Sequence, residues 1–132
     1  MKFRTLIGAL LFIGVLAAAT VAAIEPNVAV RRQGLAFFLR PTQVAGQLVI
    51  GKALIVHDDA KMARGEPCTT IYRFGKSGTE EIVSFMCKPA ARPLTDRLTV
   101  RCVPNRFSQV TDVMTEFQFA GEIEAHGVPT SR

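Results

Sequence analysis

Apolar and polar residues alternate along much of this chain with a period of two, the repeat of a strand that buries one face. The clearest run is 115–125. There Phe117, Phe119, Ile123 and Ala125 fall on one side and Glu116, Gln118, Glu122 and Glu124 on the other. Comparable runs at 35–39, 43–50, 52–57, 69–74, 80–87 and 97–103 are separated by turn residues, among them Arg40-Pro41, Gly51 and Gly75-Lys76-Ser77-Gly78. Short strands at this spacing predict an all-β, mostly antiparallel single domain, a β-sandwich or small β-barrel. One or two short helical turns interrupt it. Residues 58–65 offer an acidic start and a glycine stop, and 105–114 carry Phe107, Val110 and Met114 at helical spacing. Phe37 and Phe38, adjacent on one run, must point to opposite faces.

The N-terminal stretch breaks this pattern. Lys2 and Arg4 precede an uncharged apolar run over 6–16, followed by Ala17-Ala18-Ala19-Thr20-Val21-Ala22-Ala23. Charged start, apolar middle and small-residue end are the parts of a secretory signal peptide. The expected organisation is therefore a signal peptide at 1–23, a polar lead-in at 24–34 and a β-rich domain at 35–132. Such a chain is exported to the periplasm or the extracellular space, where thiols are open to oxidation. The alternative is an uncleaved anchor, because residues 5–24 are uncharged and of nearly spanning length. A membrane is an expected partner only in that case.

Charge narrows the function classes. The chain carries a formal net charge of +5, which falls to about +3 once Lys2 and Arg4 leave with the signal peptide. The remaining cations are scattered, without the clustered basic face and stacking aromatics of a nucleic-acid module, so no nucleic acid is expected. Enzyme signatures are missing too. No G-x-S-x-G elbow occurs, Gly75-Lys76-Ser77 reads as a hairpin tip, and Glu80-Glu81 face opposite sides of one strand. No catalytic residue and no resident cofactor are expected. What remains is a non-enzymatic binding or structural role in the cell envelope, with a protein or envelope component as partner. The candidate partner-binding loop runs over 57–68 and includes His57, Asp58, Asp59, Lys61 and Arg64. Strand addition along 35–39 is the corresponding prediction for a subunit of an envelope assembly.

Three cysteines in an exported chain suggest one disulfide and one leftover thiol. With Ser77-Gly78 at the centre of the hairpin, Cys68 lies opposite Cys87, closing a loop worth roughly 3 kcal/mol. Cys102 competes for Cys87, since both sit on apolar faces, and the unpaired cysteine is expected to be buried and inert. A soft-metal site is the sharpest alternative function. Met62, Cys68, Met86 and Cys87, with His57 or His126, are ligand types that suit copper(I) or zinc, and His57, Cys68 and Cys87 are the candidates for a periplasmic copper or zinc protein. No C-x-x-C pair supports it, and Met86 alternates away from Cys87. His126, beside Pro129, is expected to be solvated at the end of the last strand.

The stretch from His57-Asp58-Asp59-Ala60-Lys61-Met62 through Cys68-Thr69-Thr70-Ile71-Tyr72-Arg73 resembles a segment of small exported bacterial proteins of unknown function. Val83-Ser84-Phe85-Met86-Cys87 and Thr115-Glu116-Phe117-Gln118-Phe119-Ala120-Gly121 are similar to further segments of them. The resemblance covers about half of the mature chain and implies export and a β-rich domain. It implies no activity, cofactor or catalytic residue.

Overall fold

The computed structural model describes residues 30–130, so the expected signal peptide and anchor segment lie outside the described residues. The described residues form β1 (Arg31–Val44), β2 (Gln47–Asp58), a short helix α1 (Asp59–Ala63), β3 (Thr69–Gly75), β4 (Gly78–Phe85), β5 (Lys88–Ala91), β6 (Thr99–Pro104), β7 (Asp112–Gln118) and β8 (Glu124–Gly127). The mostly-β expectation holds. The architecture is one curled sheet in the order β4-β3-β2-β1-β7-β8-β5, with β6 also paired to β7, forming a half-barrel. Among the described residues every strand belongs to this one sheet, so it is not a sandwich. It is mixed, because β1 runs parallel to β7 at Thr42↔Asp112 and Gln43↔Val113.

β1 and β2 form a long hairpin closed by Ala45 and Gly46, both at positive φ (47° and 87°). Positive φ at both central residues suits the primed turns whose twist matches a hairpin. The apolar alternation runs straight through this turn, and 43–50, expected as one strand, contains it. Gly51, expected as a break, lies within β2 at φ 76°. The ladder shifts register between Phe38 and Thr42, where Pro41 has no N–H to donate. Even-numbered residues stay inward across that bulge, so Ala36, Phe38, Thr42 and Val44 are all buried while Phe37 faces solvent.

The inner face of the curl holds the core: Phe38, Val49, Ile55, Ile71, Phe85, Met114, Phe117 and Phe119, with Cys68 and Cys87 among them. Fully burying each large apolar side chain contributes about 1.5–3 kcal/mol. The 115–125 run is not one strand. It breaks after Gln118, turns at Gly121 (φ 80°) and resumes as β8. Its polar side is not solvated either. Glu116 is buried in ion pairs with Arg92 and Arg101, and Gln118 donates to the carbonyls of Pro93 and Glu122. The helix expected at 58–65 is present as α1, capped by the Asp58 carboxylate accepting from the Ala60 and Lys61 N–H groups. Residues 105–111 form a loop, not a second helix. Among the described residues, no helix is long and apolar enough to cross a membrane.

Candidate metal centre

Strand periodicity carries four ligand-type side chains to one place in the core. On β2 the odd residues Val49, Ala53 and Ile55 point inward, and His57 continues that series. On β4 the inward series ends at Phe85 and extends to Cys87, while Met86, one residue out of phase, is half-exposed. Cys68 immediately precedes β3. It is drawn beside His57 because the Asp58 N–H donates to the Cys68 carbonyl at 2.9 Å, closing the loop that contains α1. His126 arrives on β8, opposite Phe117 of β7.

The four side chains are nearly sealed from solvent, with none more than 4% exposed. Cys87 Sγ lies 3.5 Å from His126 Nδ1 and 3.7 Å from His57 Nδ1. The candidate ligand atoms of His57, Cys87 and His126 all fall within 4.8 Å of one another. Cys68 Sγ stands 3.3 Å from Cys87 Sγ and accepts from the Cys87 N–H at 3.5 Å. The two imidazoles meet at 4.3 Å between ring centroids, and His126 stacks on Phe117 at 4.9 Å.

Behind each histidine stands a carboxylate. His57 Nε2 is 3.0 Å from Asp59, and His126 Nε2 is 3.3 Å from Glu122. A ring that donates from Nε2 keeps its Nδ1 lone pair, and both lone pairs then face Cys87. Arg32, on β1 opposite His57 in the ladder, ion-pairs with both Asp59 and Glu122 and so ties the two supports together. The Thr69 hydroxyl completes the surroundings, 3.1 Å from His57 Nδ1.

Electrostatics follow from burial. Desolvation holds the His57 imidazole below its ordinary pKa, the facing His126 adds to this, and Asp59 opposes it. Burial, then contact with Cys68, pushes the Cys87 thiol up to about 12. A reactive cysteine needs access as well as a basic neighbour, and Cys87 has no access. Two imidazoles and a thiol converging on one point, with oriented carboxylates behind, suit a borderline or soft cation such as zinc or copper(I).

The three candidate ligands expected from sequence, His57, Cys68 and Cys87, are thus brought together, and His126 joins them. The expected Cys68–Cys87 disulfide is not formed. The sulfurs are in contact as thiols, at a separation longer than an S–S bond of about 2.05 Å. The hairpin explains part of this. Its turn is Lys76-Ser77 between Gly75 and Gly78, and a bulge at Ile71/Tyr72 moves the register again, so Thr69 opposes Phe85 and the cysteines are not directly opposed. The leftover Cys102 is exposed on β6, not buried. Nor is His57 part of an exposed partner-binding loop. It faces the core, Asp58 caps α1 and Asp59 holds His57, leaving Lys61 and Arg64 as the outward-facing cations of that segment.

Sequence reasoning offered His126 only as an alternative to His57, and it missed Glu122 and Arg32. The signal for His126 with Glu122 was present as a Glu-x-x-x-His spacing, but it lay within a run read as one continuous strand. No family model matches the chain, and no curated protein or solved structure matches it.

Proposed function

We propose that this chain is an exported, non-enzymatic β-domain that binds one soft or borderline transition-metal ion, zinc or copper(I), through His57, Cys87 and His126. The observation that carries this reading is the paired orientation of the two imidazoles. Each gives Nε2 to a carboxylate and Nδ1 to the same sulfur. A buried histidine serving packing alone has no need of that arrangement twice, around one thiol, with an arginine joining the two carboxylates. Export, and with it a periplasmic or extracellular site of action, is proposed from the residues 1–23 pattern.

Native mass spectrometry of the anaerobically reduced protein tests the reading. A single chelator-sensitive adduct of about 63–65 Da is expected. It should disappear in a His126→Ala variant. Absence of any adduct after incubation with zinc or copper(I) sinks the metal reading.

A second surface favours partner binding. Among the described residues, β1 before Thr42 pairs only with β2, and Leu35, Phe37 and Leu39 project from it beside a groove of about 440 Å³ that also includes Leu98 and Val100. An open strand edge flanked by apolar side chains suits an added extended apolar strand. Protection of the β1 amides from hydrogen exchange by such a peptide is the expected result; unchanged exchange rejects it.

A further inference from the structure

Cys87 Sγ belongs to two contacts at once. It touches Cys68 Sγ at 3.3 Å and the two imidazole nitrogens at 3.5 and 3.7 Å. Four ligands held tetrahedrally around zinc at about 2.0–2.3 Å stand about 3.4–3.8 Å from one another, close to the three separations made by Cys87. Cys68 Sγ, by contrast, lies outside the group of mutually close ligand atoms and must swing toward the imidazoles to complete the set. A disulfide sulfur, by contrast, is no thiolate, and the thiolate is the form that binds metal. The same atom therefore cannot serve both arrangements.

We propose that Cys68 and Cys87 make the site redox-gated. As thiols they complete a Cys₂His₂ set for zinc(II) with His57 and His126, and as a disulfide they release the ion. The inference rests on the metal reading above and adds the identity of the ion, the fourth ligand and the control of release. Zinc is singled out by charge balance. Two thiolates cancel a divalent cation and leave a neutral cluster in a core that would penalise a residual charge, and the imidazoles add none. Cys68 is the nearest further ligand, its sulfur touching Cys87 Sγ and accepting the Cys87 N–H.

The oxidant is an incoming disulfide, R–S–S–R, of the kind present where disulfides form. Both sulfurs are closed off in the folded state, so the attack takes place on local opening of the site. One zinc-bound thiolate then attacks the disulfide and expels R–S⁻, giving a mixed disulfide. The second thiolate then displaces the other R–S⁻ and closes the Cys68–Cys87 bond. The two cysteine sulfurs lose two electrons, the two R groups gain them and take up two protons to leave as R–SH, and Zn²⁺ departs. The cysteine sulfurs approach by about 1.3 Å in the process.

The experiment uses the full chain carrying Cys102→Ser, which removes the exposed third thiol. Zinc is titrated against a chromophoric chelator, with the protein either reduced anaerobically or oxidised by glutathione disulfide, and intact mass is followed throughout. The reduced protein is expected to bind one zinc. The oxidised protein should be 2 Da lighter, contain a Cys68–Cys87 cross-linked peptide, and bind zinc at least 100-fold more weakly until a dithiol restores it. X-ray absorption of the zinc-loaded protein should show two sulfur and two nitrogen scatterers, a readout that does not depend on any ligand variant folding. Cys68→Ser should weaken zinc at least tenfold while His57 and Cys87 remain. If reduced protein binds no zinc, the metal reading and the gate fall together. If reduced and oxidised forms bind equally, if no intramolecular disulfide forms, or if zinc has one sulfur neighbour, the gate falls and the metal reading stands.

Discussion

Two buried polar clusters sit side by side on β7 and β8, and they are built to different rules. In the first, Glu116 is held by Arg92 in a two-point pair at 2.8 and 2.9 Å and by Arg101 at 2.9 Å. Gln118 beside it spends its amide hydrogens on two backbone carbonyls and takes a bond from Arg101. Its groups are paired in ion pairs and hydrogen bonds within the cluster, apart from Arg101 Nη1, which lies near Glu116 without a hydrogen bond. In the second, two Nδ1 atoms face the Cys87 thiol, with the Cys68 thiol and the Thr69 hydroxyl beside them, while both Nε2 positions lie against carboxylates. That cluster instead turns two imidazole nitrogens and a sulfur, all metal-ligand atoms, toward one point within 4.8 Å of one another. Burial alone does not separate structure from site; the convergence of ligand-type atoms on one point does.

The largest expected effect tests the second cluster directly. If four ligands share the roughly 10–16 kcal/mol typical of structural zinc, removing one costs about 3–4 kcal/mol, or about 10²–10³-fold in affinity. Cys87→Ala should show this in a chelator competition, whereas Glu116→Gln should leave zinc affinity unchanged. Glu116→Gln should instead lower unfolding free energy by about 2 kcal/mol in urea titration, because two arginines lose a charged partner. A zinc effect from Glu116→Gln would merge the two clusters into one. Between these lie the supporting carboxylates. Asp59→Asn or Glu122→Gln is expected to reduce metal affinity about 10- to 100-fold without removing a ligand.

A smaller effect follows from acid. Arg92 holds the Glu116 carboxyl below its ordinary value in the folded protein. A carboxyl with a lowered folded pKa stabilises above the unfolded pKa, and that contribution drains away as pH falls through the folded value. Stability of the metal-free protein should therefore drop on the acid side of the usual carboxylate range, and Glu116→Gln should flatten that limb in urea midpoints measured against pH. The smallest effect belongs to neither cluster. Phe37→Ser, on the outward face of β1, should change stability by no more than about 0.5 kcal/mol.

How much of this could be read from the chain depended on the range of the cause. Alternation in 69–74 and 80–85 is local and survives as β3 and β4, and the Asp58 cap with its acidic first turn is legible as α1. His57 on the core face of β2 was legible in principle, since Ile55 and His57 share a parity. The 115–125 run failed because its alternation is compatible with one strand or two. Only the tertiary pairing of β8 with β5 decides between them. Glu116 and Gln118 read as solvent-facing for the same reason: their partners Arg92, Pro93 and Arg101 come from other segments. The cysteine contact was anticipated from the hairpin, but a two-residue turn and a bulge shifted the register that it relied on.

β8 joins β7 through only two paired positions, Glu116↔Gly127 and Phe117↔His126, and it joins β5 through four. That thin stitching bears on traffic. A pocket whose walls are this closed admits an ion only when a wall moves, and short strands held by few pairings, such as β8 with the edge strand β5 beside it, are the segments that open most readily below the global unfolding threshold. Lifting β8 would carry His126 and its aromatic floor contact away together, exposing the sulfur without disturbing the β2–β3 ladder. Loading the site would then latch the door through which the ion came, turning a fast-opening strand into a slow one and setting the ion's residence time by the motion of four residues.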